Sequence, residues 1–226
     1  TSILYSIDYL DKFIHLGSGA EYSKTRDLKK MKEKDFGKFI PEDGYGFAKF
    51  LCSKISENNN KIITLSLFGI YGKHEDYRYK FIANSIVKNL LNLPIKIKQN
   101  VIFDYLYIDD FIKIVDYFIK NRAKYNFYNV TPTKSISLVE IANIINKVSN
   151  YKSKISVVNK GFNFQYTADN KRLTKEIKNL KFTNYDDGIL KLYNYYSNMF
   201  EKLDKSAIIK DNYFKTSKIK NVKKNS

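Results

Sequence analysis

Short apolar runs alternate with amphipathic stretches along this chain, and that alternation limits what it can fold into. The runs Phe13 to Leu16, Ile62 to Leu67, Tyr105 to Ile108, Phe127 to Val130 and Lys154 to Val158 are too short for helices and suit buried strands. Between them, Tyr45 to Ile55, Tyr79 to Leu91, Asp109 to Ile119 and Ser137 to Val148 place apolar residues three and four apart with a polar opposite face, as surface helices do. The pattern predicts an α/β protein. Two helix starts are marked. Ser137-Leu-Val-Glu140 is a capping box, and Asp109-Asp110 puts negative charge where the helix dipole is positive. The segment Ser23 to Gly44 is polar and ends in Pro41-Glu-Asp-Gly44, which predicts a long surface loop of the kind that often serves function. From Glu201 the periodicity fades, so residues 201–226 are expected to form a basic, solvated tail.

With 226 residues, 43% of them hydrophobic, the chain can bury one sizeable core, or one core with a small lobe. No stretch approaches the roughly 18 uninterrupted apolar residues of a membrane-spanning helix, and the first residues lack the layout of a signal peptide; the cytoplasm is the expected location. The single cysteine, Cys52, excludes an internal disulfide, and His15 and His74 alone make no zinc-ligand spacing, so no metal is expected. A net charge of +17 raises nucleic acid as a partner through phosphate neutralisation. The lysines are scattered among Asn, Ile and Tyr along the whole length, however, and the densest run, Lys215 to Lys224, offers no aromatic platform for bases. Neither nucleic acid nor a membrane is expected as a partner.

Chemistry concentrates in Phe13-Ile-His-Leu-Gly-Ser-Gly-Ala-Glu-Tyr22, an apolar strand running into small residues, followed after the polar segment by Tyr45-Gly-Phe-Ala-Lys49. Residues four apart share a helix face, so the Lys49 ammonium can approach the Tyr45 phenol and favour its phenolate. Ser18 falls at the carboxyl end of its strand, where open α/β sheets place their ligands, and its hydroxyl can hold a substrate oxygen beside the tyrosine. The three form a site suited to an alcohol or carbonyl.

The order of strand, serine turn, Tyr-x-x-x-Lys helix and apolar strand resembles the extended short-chain dehydrogenase/reductases, the NAD-dependent epimerase/dehydratase family that acts on nucleotide-linked sugars. Leu67-Phe-Gly-Ile-Tyr-Gly72 resembles the family's pocket-lining stretch. Asp104-Tyr-Leu-Tyr-Ile-Asp-Asp110 resembles its Asp-Phe-Ile-Tyr-Val-Asp-Asp signature. Tyr128-Asn-Val130, the capped helix from Ser137, and Asp169 with Lys171 to Leu180 resemble its later elements. The likeness runs from about residue 12 to 200. It implies the C-terminal part of a Rossmann-like parallel sheet over 1–200, interleaved with a small α/β substrate-binding lobe. Ser18, Tyr45 and Lys49 are then the catalytic residues, Tyr45 and Lys49 also touch an NAD or NADP cofactor, and Ser18, Gly19, Tyr71 and His74 line the substrate.

Leu16-Gly-Ser-Gly-Ala-Glu-Tyr22 and the Tyr-Lys helix are most similar to the GDP-fucose synthase branch, which reduces a 4-keto sugar after epimerising it. Ala20 stands where that branch has a cysteine, and Gly19 with Ala20 replaces the Asp-Glu pair of the 4,6-dehydratases. The resemblance therefore implies simple reduction, or epimerisation through a keto intermediate. Phe103 occupies the place of a diphosphate-binding arginine, leaving Arg78, Lys80 and Lys98 as basic candidates. No glycine-rich dinucleotide turn occurs in the sequence. The resemblance places that turn in an N-terminal half outside these residues, so cofactor binding is expected to be weak unless a complementing half supplies it. A nucleotide sugar is the expected substrate, and a homodimer or the complementing half the expected protein partner. The other reading is a catalytically silent scaffold or binding subunit derived from such an enzyme. His15 reads as a core or edge residue, and Cys52 as a small packing group.

Overall fold

The run Ile62 to Leu67 is buried at every position but the last because it is the middle strand of a parallel sheet and is covered on both faces. The computed structural model describes residues 7–219. In chain order the elements begin with β1 (Phe13–Ser18), β2 (Leu28–Met31), α1 (Gly44–Ser56), β3 (Ile62–Leu67), β4 (Gly69–Tyr71) and α2 (Phe81–Leu90). Next come β5 (Ile95–Asn100), β6 (Ile102–Phe103), β7 (Tyr105–Tyr107), α3 (Ile108–Lys120), β8 (Phe127–Val130), β9 (Ile136–Ser137) and α4 (Leu138–Val148). The chain continues through β10 (Ile155–Phe162), β11 (Tyr166–Ala168), α5 (Lys171–Glu176), α6 (Tyr185–Asn198), α7 (Lys205–Ile209) and α8 (Asn212–Thr216). Two compact units interleave along it. The first runs up to Ile70 and takes in Asp104–Lys134 and Tyr166–Phe182; the second holds Tyr71–Phe103, Ser135–Gln165 and the chain from Thr183.

In the first unit β1, β3 and β8 lie side by side, all parallel, with Ser18 opposite Leu67 and Leu67 opposite Val130. Ile63, Leu65, Leu106, Ile114, Phe118, Tyr128, Val130 and Leu173 fill the core against this sheet. Asp109 and Asp110 occupy the first turn of α3. At its far end the Lys12 ammonium donates to the carbonyls of Phe118 (2.5 Å), Ile119 (3.0 Å) and Asn121 (2.8 Å). These are groups that a helix end leaves unsatisfied. The polar segment before Gly44 is not all loop. It contains β2, parallel to β11, with Leu28 and Met31 facing inward and Lys29 and Lys30 exposed. Two apolar residues among lysines carry no strand periodicity, and the partner strand comes from far along the chain, so this element was invisible to pattern.

The second unit pairs β5 with β10 in parallel, Ile155 opposite Ile95 and Val157 opposite Ile97. The register shifts between Asn159 and Phe162, and Gly161 between them sits at φ 76°. That conformation favours glycine, and the irregularity lets the strand continue beyond the expected end at Val158. Ser137 caps α4 as expected: its hydroxyl accepts from the Glu140 N–H at 3.2 Å, and the Glu140 carboxylate accepts from the Ser137 N–H at 2.8 Å. The buried Asn89 amide nitrogen is shared by Asn146 Oδ1, the Tyr151 carbonyl and Ser153 Oγ, while its oxygen accepts from the Tyr193 hydroxyl. One side chain thus ties α2 to α6 and to the turn after α4.

As far as the described residues go, the stretch from Glu201 forms two short helices and buries Leu203 and Ile208, while most of its other side chains are exposed or half-buried. Ile208 is buried, Asp211 turns the chain with a left-handed φ of 51°, and its carboxylate meets the buried Lys88 ammonium at 2.7 Å. Five-residue helices are too short to show periodicity, which is why pattern read them as a tail. Residues 220–226, including the end of the Lys215 to Lys224 run, lie outside the described residues. Asp211→Ala leaves a buried ammonium without its counter-charge and should lower unfolding stability by about 2–3 kcal/mol, less than for a fully buried pair. Urea denaturation checks this, and adding Lys88→Met to the variant should recover part of the loss.

Candidate active site

Ser18 ends β1 and caps the 3-10 turn Gly19–Tyr22, its hydroxyl accepting from the Ala20 N–H at 3.2 Å. The Glu21 carboxyl closes the box by accepting from the Ser18 N–H at 2.5 Å. The glycines on either side of Ser18 are steric necessities. A Cβ at position 17 would lie 2.6 Å from Glu21 Oε1, and one at position 19 would lie 2.7 Å from the Phe68 ring. The turn is therefore pressed against the side chains that flank it.

Helix α1 starts after Asp43, whose carboxylate accepts from the Gly46 N–H at 2.8 Å, the usual role of an N-cap aspartate. A Cβ on Gly46 would come within 2.9 Å of the Ala20 carbonyl oxygen, so the helix's first turn lies directly on the serine turn. Tyr45, in that turn, points outward and is 56% exposed. Lys49 follows one turn later, and its ammonium donates to the Leu16 carbonyl at 2.8 Å, two residues before Ser18. Lys49 makes no ion pair among the described residues. Ser18, Gly19, Tyr45 and Lys49 are thus gathered at the carboxyl end of β1.

Three further residues enter this site that sequence reasoning did not select. The Tyr166 hydroxyl, from β11, is hydrogen-bonded to the Ser18 side chain, and burial pushes its phenol well above the usual range. The Lys24 ammonium lies over both the Tyr45 ring (5.3 Å to its centroid) and the Tyr166 ring (5.4 Å). Both distances are within cation–π reach. Nothing around Tyr166 in the sequence signals this placement. The third residue is Glu21, and its signal, the Ser18-x-x-Glu21 capping signature, was legible.

Glu21 is wholly inaccessible to solvent. Burial pushes its carboxyl up to about 8, against the opposing pull of the Ser18 N–H, the neighbouring Ser53 hydroxyl and the Lys49 charge. His15, on β1, is held below its usual value, first by burial and then by Lys49. Ser18 and Lys49 therefore offer a hydroxyl and an ammonium beside the exposed phenol of Tyr45, a set that can move protons on and off an oxygen, while Glu21 stays buried beneath them.

The other expected site residues belong to the second unit. Tyr71 is 1% exposed, with its ring 6.4 Å from that of Tyr185 and its hydroxyl against Gly188, so it stands as a core side chain there. His74 is exposed at φ 69°, and its Nδ1 lies 3.1 Å from the Tyr195 hydroxyl. Cys52, read as a packing group, is exposed; Gly46, Phe50 and Ser53 take the inward positions of α1. Among the described residues no group of three His, Cys, Asp or Glu side chains could hold a metal ion, and no helix is long and apolar enough to cross a membrane.

In the folded state Glu21 keeps its proton up to about pH 8, whereas in the unfolded chain it ionises near 4.5. Between those values the folded form holds a proton the unfolded form has released, so this group's contribution to stability falls as pH rises and levels off above about 8. Melting temperatures from pH 5 to 9 should fall less steeply in Glu21→Gln than in the unaltered protein, and Glu21→Gln should be the more stable of the two at pH 9.

The sequence matches the NAD dependent epimerase/dehydratase family over residues 4–131. It is 26% identical over 212 residues to an ADP-L-glycero-D-manno-heptose-6-epimerase of Brachyspira hyodysenteriae, covering 88% of this chain and 66% of that protein. The chain thus spans slightly less than two thirds of that relative's length. In fold it is similar to a GDP-L-fucose synthetase from Naegleria fowleri bound to NADP, with a TM-score of 0.75 at 12% identity over 90% of this chain and 69% of that one. A GDP-mannoheptose C4 reductase from Campylobacter jejuni with NADP bound gives 0.70 at 17%, covering 87% and 73%. With more than half of its length matched, and with a parallel α/β fold that these structures share, this chain belongs to the NAD dependent epimerase/dehydratase family.

Proposed function

We propose that this chain carries the proton-handling part of an enzyme that reduces or epimerises a nucleotide-linked sugar. The observation that carries the reading is the convergence of Ser18, Tyr45 and Lys49 at the carboxyl end of β1, with Tyr45 open to solvent and Lys49 held by a carbonyl rather than an acid. Two of the relatives add support, since one is named as an epimerase of an ADP-linked sugar and the other as a reductase of a GDP-linked one.

Tyr45 gives a proton to the carbonyl oxygen in reduction and takes one from the hydroxyl in the reverse direction. Lys49 stabilises the charge that appears on the phenol, because its ammonium lies one helical turn away on the same face. Ser18 holds the substrate oxygen in place, and the bond to Tyr166 fixes the serine rotamer. The family's cofactor fits this end of the site. An exposed phenol and an ammonium without an acidic partner suit the hydroxyls of a nicotinamide ribose, and Tyr45 and Lys49 are the residues that would hold it. When bound, the nicotinamide supplies or accepts the hydride at the adjacent carbon. The adenosine and pyrophosphate would need a glycine-rich turn that these 226 residues do not contain.

The test is Tyr45→Phe in the protein as it occurs in its cells, followed by the absorbance of NADH or NADPH with ADP-, GDP- and UDP-linked sugars. Loss of a general acid should lower kcat by about 10²–10⁴-fold. The melting temperature should be unchanged, because the phenol is exposed. Unaltered turnover in the variant overturns the assignment.

A further inference from the structure

Glu21 has no role in the proton transfer just described, yet it sits beneath every residue that does. One carboxyl oxygen takes the Ser18 N–H, and that oxygen also fills the space where a side chain on Gly17 would stand. The carboxyl also faces α1, where the Ser53 hydroxyl lies beside it and the Lys49 ammonium acts on it through the protein. From β1, His15 feels the same lysine, while on the turn and on β11 the phenols of Tyr22 and Tyr166 feel the glutamate. These are the titratable groups that face it.

A glutamine would cap the same turn without the cost of desolvating an acid. Capping boxes ordinarily stand at exposed helix starts, where a charged glutamate costs nothing. Here the carboxyl is sealed from water between the strand end that bears Ser18 and the helix that bears Tyr45 and Lys49. A charge change at such a place is felt strongly, because little water intervenes.

We propose that Glu21 is a positioning residue of this site, a buried carboxyl that fixes the Ser18 backbone against α1 and whose ionisation sets the charge environment of Lys49. The proposal rests on the reading of Ser18, Tyr45 and Lys49 as the proton-handling set. In its protonated state the carboxyl leaves Lys49 held by the Leu16 carbonyl alone; ionised, it adds a negative charge that draws the ammonium inward. Glu21 would then act on the reaction through Lys49 while touching neither substrate nor cofactor.

The experiment is trace acetylation of the full chain with acetic anhydride from pH 6.5 to 10. The Lys49 peptide is quantified by mass spectrometry and normalised to a free amine. In the unaltered protein the normalised reactivity of Lys49 should drop severalfold around pH 8 as Glu21 ionises. Glu21→Gln, which keeps the size and the acceptor for the Ser18 N–H, should remove that step. Glu21→Asp should restore a step at a shifted pH, which a purely structural cap would not do. A profile without a step in the unaltered protein, or one that persists in Glu21→Gln, overturns the proposal. Should Glu21→Gln fail to fold, carbon-13 titration of the Glu21 carboxyl in the unaltered and Lys49→Met chains decides instead. The midpoint must rise when the lysine charge is removed, and an unmoved midpoint rejects the coupling. Failure of the catalytic reading is separately visible, since it shows as full turnover in Tyr45→Phe and leaves the acetylation profile as it is.

Discussion

Gly46 lays the first turn of α1 on the carbonyl of Ala20, and the geometry of the site depends on that approach. A methyl group at position 46 would meet that oxygen at 2.9 Å, so the helix or the turn would have to shift. Glycine near a helix start costs some backbone entropy, about 0.5–1 kcal/mol, and here that cost is offset by contact that no other residue permits. Asp43 then satisfies the N–H of the same glycine, so one position takes both a cap and a close approach. The same logic governs Gly17 and Gly19, whose missing side chains leave room for Glu21 and for the Phe68 ring. Four small elements, a strand end, a turn, a cap and a helix, are locked by what their glycines lack.

Beneath this lock the first unit is aromatic. Tyr22 lies edge-on to Phe36 and Phe127 and beside Phe68, and Phe68 in turn meets Tyr166 at 4.9 Å. Rings of this size bury much apolar area and hold their neighbours in few rotamers. Their polar ends are satisfied: the Tyr22 hydroxyl donates to Asn129 at 2.9 Å, and the Tyr166 hydroxyl reaches Ser18. Packing and proton chemistry meet here. The burial that favours a neutral Glu21 ends at Tyr45, which faces solvent.

The second unit uses polar groups for a different purpose. Lys88 and Asn89 sit inside α2, where apolar residues would pack without desolvation cost, and each instead joins the helix to another part of the unit. Such groups specify one arrangement among several of similar hydrophobic burial. They also explain why the chain after Asn198 stays folded down onto this unit through Asp211 and Ile208. Membership of the epimerase/dehydratase family rests chiefly on the matched region, residues 4–131, most of which falls in the first unit.

By itself the sequence determined the strands at 62–67 and 127–130, the helices α1 to α4, the cap at Ser137 and the shared helix face of Tyr45 and Lys49, because each of these is written in local periodicity or spacing. Only the tertiary structure decided the rest. Strand β2 exists because β11 pairs with it, the short helices after 204 because Lys88 needs a counter-charge and Ile208 a core, and Tyr71 is a core residue because Gly188 leaves room for its hydroxyl. Tyr166 reaches Ser18 from across the chain, and Glu21 titrates far from its ordinary range because it is sealed from water on every side. Pairing, burial and charge coupling between residues distant in sequence leave no local trace, which is why they become visible only once the chain is folded.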